Sequence, residues 1–557
     1  MIRNVLRGAA LTALVALGAC DKQLTVTNPN SPNGSQALSS PADLESFLGS
    51  YYKRWHSGIY GSQSNMGGMA AVMSFETYST LSNNCIGQRV GIPRAGNDNS
   101  IGNLCAPEQR RVYEYENEVQ RVASSVLKQL NTPGYTLGSA ARDARGKAFA
   151  HFLRGLALGT LAETYDSTAV ITESMDAVDP GELKGYLEVA DSALAALQLA
   201  IDFTDASVAA GGSDGFPLPP AWIPSSTTMS AAEFKKLAHS YAARYRAGVA
   251  RTPAERAAVD WNKVIADAQA GITADHDNIT STTGGPSDSW RQAMDGPSNY
   301  QGQPPWIIGM GDVSGAYATW TSLAVAARGP TFHMVSPDLR LPQGGTRAEQ
   351  QDDFKISSCS AASTKCKRYI VNRASNADQT AQIPWGGSEY DFARFHSWVT
   401  SGDGTARNGS LVFFTLAELN LLEAEGHIRK GEFAQAAALI NKTRVANGGL
   451  PAITAFDGTS PVPGGDVNCV PKVPADVQGP VKCGNMMEAL KWEKRLETEN
   501  THWMAWFIDS RGWGDLPAGT PLYWATPFSD LQVRNKPVYS VGGSNPVGGA
   551  AKGTYGW

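Results

Sequence analysis

The stretch Leu411–Pro451, LVFFTLAELNLLEAEGHIRKGEFAQAAALINKTRVANGGLP, decides the fold. Leu416, Leu419, Leu422, Ala424 and Ile428 recur at helical spacing and lay one apolar face along a first helix. Lys430-Gly431-Glu432 reads as a tight turn, and Phe433, Ala436, Leu439 and Ile440 then face inward from a second helix. The unit from Leu411 to Gly448 approaches the ~34-residue period of a tetratricopeptide hairpin. One such hairpin cannot bury its apolar face alone, so further helix pairs must stack on it.

Working outward, the same periodicity predicts helices over about 108–131, 141–165, 184–203, 230–250 and 259–272. Phe149, Phe152, Leu153, Leu156, Leu161 and Tyr165 form the face of the second of these. Leu187, Ala190, Leu194, Leu197 and Ile201 form that of the third, and Trp261, Val264, Ile265 and Ala268 that of the last. Ser40-Pro41 has the form of an N-cap followed by proline at the first helical position, ahead of Leu44, Phe47, Leu48, Tyr51, Tyr52 and Trp55. Strand-like alternation is scarce. The expectation is a mainly α body: a degenerate array of tetratricopeptide-like helical hairpins over about 41–272 and 410–516. Between about 273 and 409 the periodicity fails, and an irregular tail follows over about 517–557. The 273–409 region is rich in Gly, Ser, Thr, Asn and Pro, yet holds Trp290, Tyr300, Trp306, Tyr317, Trp320, Trp385 and Trp398. That aromatic density argues for an ordered insertion on the helical scaffold.

The N-terminus carries Arg3 and Arg7, a short apolar run from Ala9 to Leu17, and then Leu17-Gly18-Ala19-Cys20. The run is far shorter than the ~20 residues needed to span a bilayer and reads as a cleaved secretory signal over 1–19. Its end has the form of a bacterial lipobox, with Cys20 as the lipidated residue and 20–40 as an extended tether. Of the seven cysteines, six remain once Cys20 is set aside. They fall into close sequence pairs, Cys85 with Cys105, Cys359 with Cys366 and Cys469 with Cys483. Disulfides in an oxidising compartment fit this spacing, although about fifteen pairings are formally open to six cysteines. Metal binding is not expected, because no pair has the two-residue spacing of a zinc knuckle and no histidines cluster nearby. A hydrophobic content of 42% supports a large core, and a net charge of −5 gives no basic face for nucleic acid.

Together these pieces resemble the SusD/RagB outer-membrane nutrient-binding lipoproteins. The leader Leu24-Thr25-Val26-Thr27-Asn28-Pro29-Asn30 is similar to the segment that follows their anchor. The helix from Arg142 to Tyr165 resembles their early helix, and the stretch quoted above resembles their AE-x-x-LL-x-AEA helix and its partner. Trp492-Glu493-Lys494-Arg495-Leu496-Glu497 and Trp506 to Gly514 resemble their late helix and W-x-D-x-R-x-G end, with Glu499-Asn500-Thr501-His502-Trp503 departing from the usual pattern between them. The resemblance implies four tetratricopeptide-like hairpins with an irregular insertion. It also implies a non-catalytic lipoprotein on the cell surface at the outer membrane, held by its lipid alone. Such a protein hands glycan, or peptide, to a SusC-like TonB-dependent β-barrel transporter.

Catalytic motifs are missing: there is no His-Glu-x-x-His helix, phosphate loop or Gly-x-Ser-x-Gly elbow, and no cofactor is called for. A surface-anchored glycoside hydrolase needs only two carboxylates. Asp288, Asp295 and Asp312 read better as turn residues, and Glu418, Glu423 and Glu425 as salt links, for example to Arg444 or Arg495. Asp509 and Arg511 read the same way. A helical adaptor without a small ligand would have no use for the aromatic insertion. Sugars present apolar faces to aromatic rings and hydroxyls to polar side chains. Trp290, Arg291, Asn299, Tyr300, Trp306, Tyr317 and Trp320 are therefore the expected ligand-binding residues, with polar help from Tyr60 to Asn84.

Overall fold

The computed structural model describes residues 38 and 40–557, apart from 63–65, 80–84, 177–178, 212–213, 282–284, 295–300, 330–331, 357–367, 379–385, 397, 399–406 and 545–546. The described residues divide after Phe47 into two units. In the first, helix α1 (Pro41–Tyr60) begins with proline, and the Asp43 N–H donates to the Ser40 hydroxyl at 3.1 Å. That hydroxyl takes up one of the donors a helix start leaves open. Cys20 and the leader lie outside the described residues.

The second unit is built on α2 (Ala106–Leu130), α3 (Ala140–Thr164), α4 (Tyr186–Ala209), α5 (Ala231–Gly248) and α6 (Trp261–Gln269). After the insertion come α7 (Leu416–Arg429), α8 (Phe433–Ala446), α9 (Met486–Thr498) and α10 (Ala505–Trp513). Each of α2 to α6 packs on its neighbour in sequence. The array then crosses the insertion: α6 packs on α7, and α7 and α8 pair with each other and with α9. The starts are capped by Ser139 on α3, Ser230 in a reciprocal box with Glu233 on α5, Asp260 on α6 and Thr415 on α7.

Close helix approach is written in glycine. A Cβ on Gly159 of α3 would lie 2.2–2.4 Å from the Tyr245 ring of α5, and one on Gly155 would lie 2.7 Å from Leu197 of α4. The bonds that tie the array together are ionic as well as apolar. Arg244 of α5 donates from Nε and Nη2 to Glu418 of α7, both at 2.8 Å. Arg256 donates to Glu425 at 3.0 and 2.6 Å and to Asp509 at 3.1 Å. Glu418 and Glu425 are thus salt links, but their partners are Arg244 and Arg256 rather than Arg444 or Arg495. Arg444 serves the carbonyls of Pro451 and Val470, and Arg495 serves Asp515.

Two expectations need correction, and a further helix carried no periodic signal. Leu411 to Phe414 lie in a strand, β4 (Gly409–Phe414), antiparallel to β1 (His276–Thr280), so the hairpin starts at Leu416. The run Leu-Val-Phe-Phe suits a buried strand, and a short apolar run does not reveal its period. Leu187 is exposed, in the first turn of α4. The short helix Met66–Met73, buried along its whole length, has no polar face and so no amphipathic signature.

Among the described residues the strands form only two-stranded ribbons. Within the insertion, β2 (Ile370–Asn372) pairs with β3 (Tyr390–Phe392). Cys85 is bonded to Cys105 and Cys469 to Cys483, whereas Cys359 and Cys366 lie outside the described residues. No described helix is long and apolar enough to cross a membrane.

Candidate functional site

The strongest candidate is a narrow cleft that begins where the helix Met66–Met73 ends. Phe75 takes a left-handed backbone (φ 63°), a conformation unfavourable for a bulky side chain. This turn sets its ring on that of Trp306, with centroids 5.1 Å apart and planes 18° from parallel. The chain then runs extended: Tyr78–Ser79 pairs with Gln301–Gly302, and the Thr77 hydroxyl donates to the Gly302 carbonyl at 2.9 Å. The Tyr78 hydroxyl donates to the Ser388 carbonyl at 3.3 Å and accepts from Arg373 at 2.9 Å. Arg373 is itself held by Asp391. Phe75, Thr77, Tyr78, Ser79, Arg94 and Trp306 line the cleft together with Val72, Val90, Pro304 and Gly386. It encloses about 300 Å³, counting the solvent at its mouth. Three rings, three hydroxyls and a guanidinium meet there, the mixture that a polar molecule with apolar faces requires.

Of the residues expected to bind ligand, only Trp306 lines this cleft. Trp306, Tyr317 and Trp320 do come together, but as core: they are 1%, 1% and 4% exposed. Trp306 and Trp320 meet edge to face at 4.9 Å, Trp557 closes on Trp306 at 5.1 Å, and the Tyr317 hydroxyl donates to the Trp306 carbonyl at 2.8 Å. Trp290 and Arg291 are fully enclosed elsewhere, against Tyr60. Arg291 donates to the carbonyls of Val412 and Thr501, at 2.6 and 2.7 Å. Tyr317, Trp320, Trp290 and Arg291 are therefore enclosed in this conformation and present no open ring face to a sugar. The reason is that large aromatics bury the most area and are drawn first into the core of a region poor in aliphatic residues. Asn299 and Tyr300 lie outside the described residues, as do Ser64, Asn65, Ser82, Asn83, Asn84, Asp295 and Trp385. The cleft residues Phe75, Thr77, Tyr78 and Ser79 were missed individually. Their signal was the run Phe75-Glu76-Thr77-Tyr78-Ser79, with rings and hydroxyls side by side.

A second cavity, of about 240 Å³, lies among Glu163, Arg244, Glu418, Lys494, His502 and Asp509. Its charges are mostly spent on each other, Arg244 on Glu418 and Lys494 on Asp509 at 2.8 Å. Burial pushes Glu163 up to about 8 and His502 well below its ordinary value. Asp288 pairs with Arg291, and burial raises it to about 6. Asp312 accepts from the main-chain N–H groups of Ser314, Gly315, Tyr317 and Val335 at 3.0 Å and so forms a turn. Except for Glu163, whose buried Oε1 has no hydrogen-bond partner, these carboxylates are occupied by structure. No group of three or more metal-ligating side chains occurs among the described residues.

Neither a family model nor a curated protein matches the sequence. Solved structures do. A SusD superfamily protein from Parabacteroides distasonis superimposes with a TM-score of 0.54 at 11% identity, over 89% of this chain and 98% of that one. This chain has the SusD fold. A SusD homolog from the same organism agrees, with a TM-score of 0.52 at 13% identity over 84% of both chains. The SusD-type architecture accounts for the helical array interrupted by an insertion. At such low identity it assigns no residue a role, so the SusD-type chain's own cleft has to be argued from its chemistry.

Proposed function

We propose that this SusD-type protein is a non-catalytic surface lipoprotein, anchored through Cys20 at the outer membrane, that captures glycan and passes it to a TonB-dependent barrel. The observation that carries the reading is the mixed lining of the cleft on a SusD-type scaffold, the rings of Phe75, Tyr78 and Trp306 beside the hydroxyls of Thr77, Tyr78 and Ser79. All are 1–4% exposed, so the cleft has to widen to admit a sugar. Rings of this kind suit the C–H faces of a sugar, and hydroxyls suit its hydroxyls. Among the described residues no carboxylate lines the cleft, which fits binding better than hydrolysis.

Gly386 provides the test. It lines the cleft, and a Cβ added to it would meet no atom of the described residues within 4 Å. Gly386→Trp should therefore fill the cleft without disturbing the core. Glycan-array binding by the wild type, lost in Gly386→Trp with an unchanged melting temperature, supports the site. Undiminished binding by the variant would remove the cleft from consideration, and glycan turnover by the wild type would refute the non-catalytic reading. Recovery of a large β-barrel with the tagged lipoprotein from native membranes tests the partner.

A further inference from the structure

Arg94, in the wall of the cleft, is enclosed, and no carboxylate lies within ion-pair distance of it among the described residues. Its Nη1 donates to the carbonyls of Arg89, Val90 and Gly91, and its Nη2 to those of Val72 and Met73. Its Nε has no acceptor. Main-chain carbonyls satisfy donors but cancel no charge. Two guanidiniums nearby are in the same state. Arg89 donates to the Gly96 carbonyl at 2.5 Å and to the Asn97 side chain at 2.9 Å, with Asp98 acting only through space. Arg328 lies over the Trp306 and Trp320 rings at 5.0 and 4.2 Å and donates to the carbonyls of Thr321 and Leu323. Burial lowers all three, Arg94 to about 9 and the others to about 10, so each remains charged at neutral pH.

The groups around the cleft do not offset this. Arg373 is neutralised by Asp391. Glu76, adjacent to Thr77, is pushed up to about 8 by burial and so is largely uncharged at neutral pH. Elsewhere in the array, by contrast, Arg244, Arg256 and Arg340 are each bonded directly to carboxylates. The cleft thus has an excess of positive charge set in low-dielectric surroundings, where its field reaches further than in water.

Building on the glycan reading, we propose that the ligand of this cleft is an acidic glycan, whose uronate-type carboxylates supply the counter-charge that the chain withholds from Arg94. The attraction acts through the field, since Arg94 is enclosed, and so favours anionic sugars without a bidentate contact.

The experiment uses the full lipoprotein and paired ligands: uronate oligosaccharides of several linkages, and the same oligosaccharides after reduction of their carboxyl groups to alcohols. Titration calorimetry should show the acidic form binding about tenfold more tightly, with the advantage shrinking as salt is raised. Gly386→Glu should weaken the acidic ligand more than Gly386→Gln does, because the two side chains are alike in size and differ in charge. Equal or tighter binding of the reduced forms, or equal loss in the two variants, would overturn the charge argument while leaving glycan binding intact. Binding of neither form would overturn the glycan reading and this inference with it.

Discussion

Arg340 joins the insertion to the late helix, and its removal is the sharpest test of how the body is held together. Its guanidinium is fully enclosed and bonded to three carboxylates: Asp338 at 3.0 and 2.7 Å, Glu493 at 2.6 and 2.9 Å, and Glu497 at 3.0 Å. The carboxylates keep other donors, Trp492 on Asp338, Thr443 on Glu493, and Asn447 and Tyr369 on Glu497. One other cation, Arg394, reaches Glu497 at 3.4 Å, so Arg340→Met leaves these donors in place and removes the main charge that balances the cluster. Breaking one buried pair costs roughly 3–5 kcal/mol. We take about 4 kcal/mol for the cluster, because the lost attraction to three carboxylates is partly offset by their protonation. Urea unfolding followed by tryptophan fluorescence should show a lower midpoint at unchanged slope. The loss should shrink toward pH 5, since protonation relieves unpaired buried carboxylates. A loss below about 1 kcal/mol, or one independent of pH, would refute the reasoning, because the carboxylates would then not depend on Arg340 for their charge balance.

Three further outcomes are expected. Burial raises Glu76 from 4.5 to about 8, so its contribution to stability is complete below pH 4.5 and lost as pH rises toward 8. Melting across that window should fall by about 1.4 kcal/mol per pH unit for this one proton, and Glu76→Gln should remove that part of the slope. Gly159→Ala forces a methyl into the Tyr245 ring and should cost about 1–3 kcal/mol, read as a lowered melting temperature. Replacing Cys469 and Cys483 by serine opens a loop whose ends are 14 residues apart and should cost about 3 kcal/mol in chemical unfolding under oxidising conditions. An unchanged unfolding midpoint would show that the loop is already ordered without the bond.

The helical array was legible because periodicity is local. An amphipathic helix such as Ala231–Gly248 carries its apolar stripe, its capping serine and its reciprocal glutamate within one short stretch. The same locality explains the failures. Leu411 to Phe414 are uniformly apolar, and whether such a run becomes strand or helix depends on whether His276–Thr280 is there to pair with it. The insertion's aromatics announced order but not their allotment between core and cleft, since a tryptophan beside polar residues looks the same in either place. The sequence by itself determined the mainly helical fold and the pairing of its helices, each encoded by neighbours a few positions apart. Only the tertiary structure decided which glutamate meets which arginine, that Trp306 lines a cleft while Trp320 does not, and that Arg94 meets no carboxylate among the described residues. Those are relations between residues tens to hundreds of positions apart, such as Phe75 and Trp306, and they are set by packing that no local pattern records.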